Sequence, residues 1–172
     1  MKSLYYNGFC LDGEKELFKD YIIENDYTIQ GFSYGAIKAF EKVYSMLKEN
    51  KRVDLIQLFS PAFFNDKDKK YKRMQLLYFG KDANLYSQNF LKNCGFSSLN
   101  MDRYFKLGSK DELEELLYYE WDKAKLKELI DKNIKVEVYL GKNDKIISFE
   151  NTFDFFIEFA DVYVLNNKGH IV

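Results

Sequence analysis

The chain has 172 residues, 47% hydrophobic and 31% charged, with a formal net charge of −1. This length suffices for one sizeable core, so a single domain over residues 1–172 is expected. The near balance of charge excludes a global field that would draw nucleic acid or a membrane surface. No apolar run reaches the length of a membrane span or a secretory h-region, and a cytoplasmic location is expected. Cys10 and Cys94 lack the spacing of a metal site and read as two buried thiols. No metal cluster or dinucleotide glycine pattern is visible, so no cofactor is expected.

In chain order, residues 3–6 (SLYY) read as a strand. Residues 14–24 (EKELFKDYIIE) read as a helix with Leu17, Phe18, Tyr21 and Ile22 on one face. A second strand is expected at 27–30, then an amphipathic helix at 36–49 with Ile37, Phe40, Val43, Tyr44 and Leu47 on one stripe. The strongest strand signal, RVDLIQLF at 52–59, stops at Ser60–Pro61. Residues 65–133 then turn helical and charged, with no strand signal. Within them Ser109 and Glu112 fit a capping box ahead of Leu113, Leu116 and Leu117, and Asp122 can cap a helix carrying Leu126, Leu129 and Ile130. Alternation returns at 134–140 (IKVEVYL), followed by a helix with Phe149, Phe153, Phe156 and Ile157 and a last strand at 162–165.

Strands separated by single helices predict an α/β fold with about five mostly parallel strands, flanking helices and a helical insertion at about 65–133. If neighbouring strands follow chain order, right-handed crossovers place every helix on one face of the sheet. Part of the 65–133 block, or the last helix, is then expected to cover the other face.

The chemistry centres on QGFSYGA, residues 30–36, where Ser33 stands between Gly31 and Gly35. G-x-S-x-G has functional meaning at a sharp strand-to-helix turn, because that geometry pushes the serine oxygen out over the sheet edge. Predicted elements flank it on both sides, and a plain glycine turn is the competing reading. A serine nucleophile needs a base, and the single histidine is His170, after the last strand. Asp144, in GKNDKI after strand 134–140, supplies an acid in the chain order nucleophile, acid, histidine found in α/β hydrolases. Asp161 is the alternative acid, but it begins a strand, at the end away from the usual site. The oxyanion donors expected are the backbone N–H of Tyr34, next to the nucleophile, and that of Phe9 in the glycine turn YNGFC.

The segments NGF, GFSYGAIKAFE, LFSP, YKRMQLLYFGKD and GKNDKI with the terminal GH resemble, in order and over nearly the whole chain, the small BioV-type pimeloyl-acyl-carrier-protein (pimeloyl-ACP) methyl ester esterases of biotin synthesis. The resemblance implies a reduced α/β-hydrolase fold, with Ser33, Asp144 and His170 at the nucleophile, acid and base positions. It also implies hydrolysis of the methyl ester of pimeloyl-ACP, which frees the distal carboxylate. The chain departs from larger hydrolases in lacking a strand and helix before Ser33, in having no long lid, and in carrying Asn7-Gly8 where many oxyanion loops have His-Gly.

The run KDKKYKR, residues 67–73, follows the strand end at Pro61 and brings several cations to the expected catalytic face. A solvated helix surface accounts for such a run. Given an acidic acyl carrier protein as partner, Lys70, Lys72 and Arg73 become candidate contacts. The other readings of the chain are a general small carboxylesterase or thioesterase with the same triad, and a hydrolase-like binding module without turnover.

Overall fold

The computed structural model describes residues 3–172. Five parallel strands, β1 (Leu4–Tyr6), β2 (Thr28–Phe32), β3 (Leu55–Phe59), β4 (Lys135–Gly141) and β5 (Asp161–Leu165), form one sheet in chain order. Between them lie α1 (Tyr34–Lys48), the insertion helices α2 (Lys69–Lys81), α3 (Ala83–Cys94), α4 (Ser98–Tyr104), α5 (Lys110–Tyr118) and α6 (Lys123–Asp131), and then α7 (Phe149–Phe156). Among the described residues, no helix is long and apolar enough to cross a membrane.

β2 and β3 are buried on both faces, as parallel central strands should be. One face carries Ile29, Ile56, Val136 and Val138 and receives α1, α6 and α7. Trp121 joins that layer, its ring 5.2 Å from Phe40 of α1 and 5.1 Å from Phe156 of α7. The capping box at Ser109 and Glu112 and the Asp122 cap form as the sequence predicts.

The opposite face is covered by neither the insertion nor the last helix. Residues 14–24 cover it, and they are not the expected α-helix: a short 3₁₀ turn at Glu14–Phe18 gives way to irregular chain. Phe18 lies 4.9 Å from Phe32 and 4.8 Å from Phe59, and Tyr21 lies 5.4 Å from Tyr139. The β1-to-β2 connection therefore runs over the face opposite α1, and the two successive crossovers have opposite hands. The right-handed rule arises because a twisted strand feeding a right-handed helix packs back only one way, and a connection on the other face loses that fit. Its backbone groups are taken by the sheet instead. Gln57 Nε2 donates to Tyr21 O at 2.9 Å, Ile23 N–H donates to Gln57 Oε1 at 3.0 Å, and Gln30 Nε2 donates to Ile23 O at 2.9 Å.

Glu14 is fully buried under this segment. Its Oε1 accepts from Gly8 N–H at 2.8 Å and from the Tyr5 hydroxyl at 3.1 Å, while Oε2 has no partner among the described residues. Burial pushes the carboxyl above its ordinary range, outweighing the hydrogen bonds that pull it down. A raised folded-state value means that the folded protein holds this proton more tightly than the unfolded chain. The stabilisation is then complete below the unfolded value and is lost as pH rises through the folded value. Glu14→Gln, which cannot titrate, should therefore gain stability relative to the parent as pH rises from about 4 to about 7. Urea unfolding of both proteins across that range checks this, and a difference that stays flat or moves the other way would contradict it.

Candidate active site

β2 runs straight into α1 through Ser33, whose backbone sits at φ 55° and ψ −114°. A non-glycine residue reaches this region only under strain, at about 1–3 kcal/mol. Three hydrogen bonds hold it: Ser33 N–H donates to Phe59 O at 2.9 Å, and Ser33 O accepts from the N–H groups of Ala36 at 3.0 Å and Ala62 at 3.1 Å. Glycine is required on both sides by contact. A Cβ on Gly31 would lie 2.1 Å from Gly35 O, and one on Gly35 would lie 2.0 Å from Tyr6 O. The second contact presses the end of β1, and the loop after it, against the start of α1.

The structure brings Ser33, His170 and Asp144 into one hydrogen-bonded row. His170 Nε2 is 2.8 Å from Ser33 Oγ, and His170 Nδ1 is 2.7 Å from Asp144 Oδ2. A carboxylate only accepts, so in the neutral imidazole Nδ1 carries the proton and Nε2 is left to accept the serine O–H. The other oxygen of Asp144 accepts from Ile146 N–H at 2.7 Å and Ile147 N–H at 3.0 Å, which fixes the carboxylate plane. Gly141, at the end of β4, allows the histidine loop to come close, since a Cβ there would lie 2.0 Å from Gly169 O. Asp161 lies elsewhere, exposed and 3.4 Å from Lys135 Nζ.

Among the described residues, the N–H groups of Tyr34 and Phe9 have no acceptor. Tyr34 N–H lies in the first turn of α1, where the helix dipole favours negative charge. Phe9 follows Gly8, whose own N–H is engaged by Glu14. The two residues thus supply unengaged donors from the two segments that Gly35 brings together. Among the described residues, no group of His, Cys, Asp and Glu side chains converges as a metal site.

Of the three cations proposed as partner contacts, Lys70 and Arg73 are exposed. Lys72 is not. Its side chain is 6% exposed, 3.4 Å from Glu120 Oε1 and stacked over the Tyr118 ring, so it is engaged within the insertion. An exposed run in sequence becomes a one-sided row on a helix, and Lys72 falls on the inner side. Beside α2 lies a cavity of about 490 Å³, with Tyr71, Tyr78 and Phe90 among its aromatic lining and Lys81 and Lys145 at its polar edge.

One contributor was not legible. Ser60, which the sequence marks only as a strand stop, is buried at φ 42° and donates from Oγ to the His170 carbonyl at 2.5 Å. Only the fold shows that β3 ends against the histidine loop.

The sheet, the helical layer and the site at the carboxyl ends of the strands define an α/β-hydrolase fold in a reduced form. No protein-family model matches the chain, and no curated protein matches it in sequence. Solved structures do match in shape. BioG from Haemophilus influenzae is 14% identical, with a TM-score of 0.61 over 99% of this chain and 88% of that one. The esterase EaEST from Exiguobacterium antarcticum is 14% identical, with a TM-score of 0.68 over 98% and 84%. The hydrolase olei00960 from Oleispira antarctica is 12% identical, with a TM-score of 0.64 over 98% and 84%.

Ser60→Ala should leave the His170 carbonyl unpartnered, costing about 1–3 kcal/mol of stability. It should also lower kcat about tenfold or more with little change in KM, because the displaced group is the imidazole paired with Ser33 rather than a binding contact. Steady-state kinetics beside a thermal melt checks this. An unchanged kcat would mean that Ser33 and Asp144 position the imidazole without Ser60.

Proposed function

We propose that the chain is a serine carboxylesterase that cleaves the methyl ester of pimeloyl-ACP. The observation that carries the reading is the Ser33–His170–Asp144 row, with both His170 nitrogens within 2.8 Å of their partners. Ser33 Oγ attacks the ester carbonyl while His170 takes its proton, and Asp144 stabilises the imidazolium. The oxyanion forms against the N–H groups of Tyr34 and Phe9. The carbonyl–methoxy bond then breaks, methanol leaves with the proton from His170, and the acyl group remains on Ser33. Water attacks next, His170 again acting as base, and the distal carboxylate is released with Ser33 restored.

The esterases and hydrolases among the structural neighbours support the general part of this reading. Its substrate rests on the sequence resemblance and on two features of the insertion. The cavity beside α2 falls within the roughly 300–1,000 Å³ usual for small-molecule sites and is mainly apolar, which suits an acyl chain. On α2, Lys70, Arg73, Leu77 and Lys81 form one exposed row next to the cavity-lining row of Tyr71, Gln75 and Tyr78. An acidic carrier docked on the cationic row would present its acyl arm at the cavity mouth.

With Lys72 engaged inside the fold, the test reverses Lys70 and Arg73 alone. Lys70→Glu with Arg73→Glu should slow hydrolysis of the ACP-linked methyl ester about tenfold at low salt, with a loss that shrinks as salt rises. A short p-nitrophenyl ester should be cleaved at the parent rate, and Ser33→Ala should lose at least about a thousandfold on both. Equal loss on both substrates from the charge reversal would assign the row to the fold. Cleavage of the free ester alone by the parent protein would point to a general carboxylesterase, and a parent protein inactive on both would be a binding module.

A further inference from the structure

Ser33 and His170 expose 1% and 0% of their surface, so the row is sealed. Two cavities flank it, and neither side chain lines either one. The large apolar cavity reaches it through Lys145 and Ile146, which follow Asp144, and through Phe64, two residues beyond the Ala62 N–H that holds Ser33 O. A smaller polar pocket of about 250 Å³ reaches it from the other side, lined by Gly8, Tyr34 and Lys38 from the core and by Lys106, Gly108 and Glu112 from the insertion.

Phe9 stands between the two. Its ring meets Phe90, a wall of the large cavity, edge to face at 5.3 Å, and lies 6.3 Å from Phe79. On the polar side Gly108 comes so close that a Cβ there would be 2.6 Å from Phe9 Cε2, so the ring occupies the space a side chain at 108 would need. The chain neighbours of Phe9, Gly8 and Cys10, both line the polar pocket. The ring is itself buried, at 1% exposure. The residue whose backbone N–H has no acceptor among the described residues thus also packs its ring between the walls of the two cavities.

We infer that the Phe9 ring is the partition between the two cavities and a determinant of acyl-chain length. A long apolar chain reaches the large cavity from Ser33 only when the ring turns aside, whereas a short one reacts without entering. The inference rests on the serine-hydrolase reading above and adds to it a specificity residue that the catalytic row does not imply. Replacing the side chain leaves the Phe9 N–H in place, and a ratio of two probes on the same variant cancels any change in reactivity common to both.

The test uses the full chain and two fluorophosphonates that differ only in an ethyl or an octyl group on phosphorus. Attack by Ser33 Oγ forms the O–P bond, expels fluoride and passes the hydroxyl proton to His170, and intact mass follows the adduct with time. In Phe9→Ala the ratio of octyl to ethyl labelling rates should rise about tenfold over the parent ratio. Phe90→Ala, on α3 and outside the catalytic row, gives the ring room to retreat and should raise the ratio about threefold, which keeps the test decisive if Phe9→Ala does not fold. Labelling with a ratio within about twofold of the parent in every folded variant would overturn the partition and leave the hydrolase reading standing. No adduct on Ser33 of the parent with either probe would overturn the hydrolase reading, and the partition with it.

Discussion

The site depends on one strained residue. Ser33 is held at a positive φ because β2 must turn into α1 within a single residue, and the turn closes only where backbone can touch backbone. Gly31 and Gly35 permit that contact, and each has a second consequence. Gly31 lets α1 lie directly on the sheet, which aims the serine hydroxyl out over the strand ends. Gly35 lets the end of β1 rest against the first turn of the same helix, which brings the Phe9 loop beside the serine. Gly141 does the equivalent for the histidine loop at the end of β4. The three close approaches set the relation of Ser33, His170 and the Tyr34 and Phe9 N–H groups before any side chain contributes.

The far face of the sheet supports the site by a different means. A chain-order parallel sheet leaves that face without α-helices, and the connection that crosses it has only a 3₁₀ turn and a few local hydrogen bonds, such as Tyr21 N–H and Ile22 N–H to Phe18 O. Gln30 and Gln57 supply the missing partners, and Gln57 also donates to Glu137 at 3.0 Å, so a polar row runs beneath the 14–24 segment. Glu14 belongs to this layer and reaches through to Gly8. The least regular part of the fold thereby grips the loop that carries the Phe9 N–H, and does so with a buried carboxyl that the fold pays to keep.

Much of this was legible in the sequence, for identifiable reasons. Ser33, Asp144 and His170 each follow a strand read from the sequence, and in a parallel sheet all carboxyl ends of the strands lie at one edge, so order along the chain becomes proximity in space. The 14–24 segment misled because Leu17, Phe18, Tyr21 and Ile22 have helical spacing. That spacing reports a buried face and not the hand of the crossover that buries it. Lys72 misled because a charge run does not reveal which of its members turn inward. Ser60 and Glu14 were invisible because their partners, the His170 carbonyl and the Gly8 N–H, are backbone groups brought near only by the fold.

The central claim is that one imidazole bridges the row, with His170 Nδ1 toward the Asp144 carboxylate and Nε2 toward the Ser33 hydroxyl. The chain has a single histidine, so a nitrogen label confined to histidine reports one imidazole without ambiguity. Nitrogen-detected magnetic resonance at neutral pH should show the proton on Nδ1, strongly hydrogen bonded and slow to exchange, with Nε2 bare. A proton on Nε2, or rapid averaging between the two tautomers, would contradict the account.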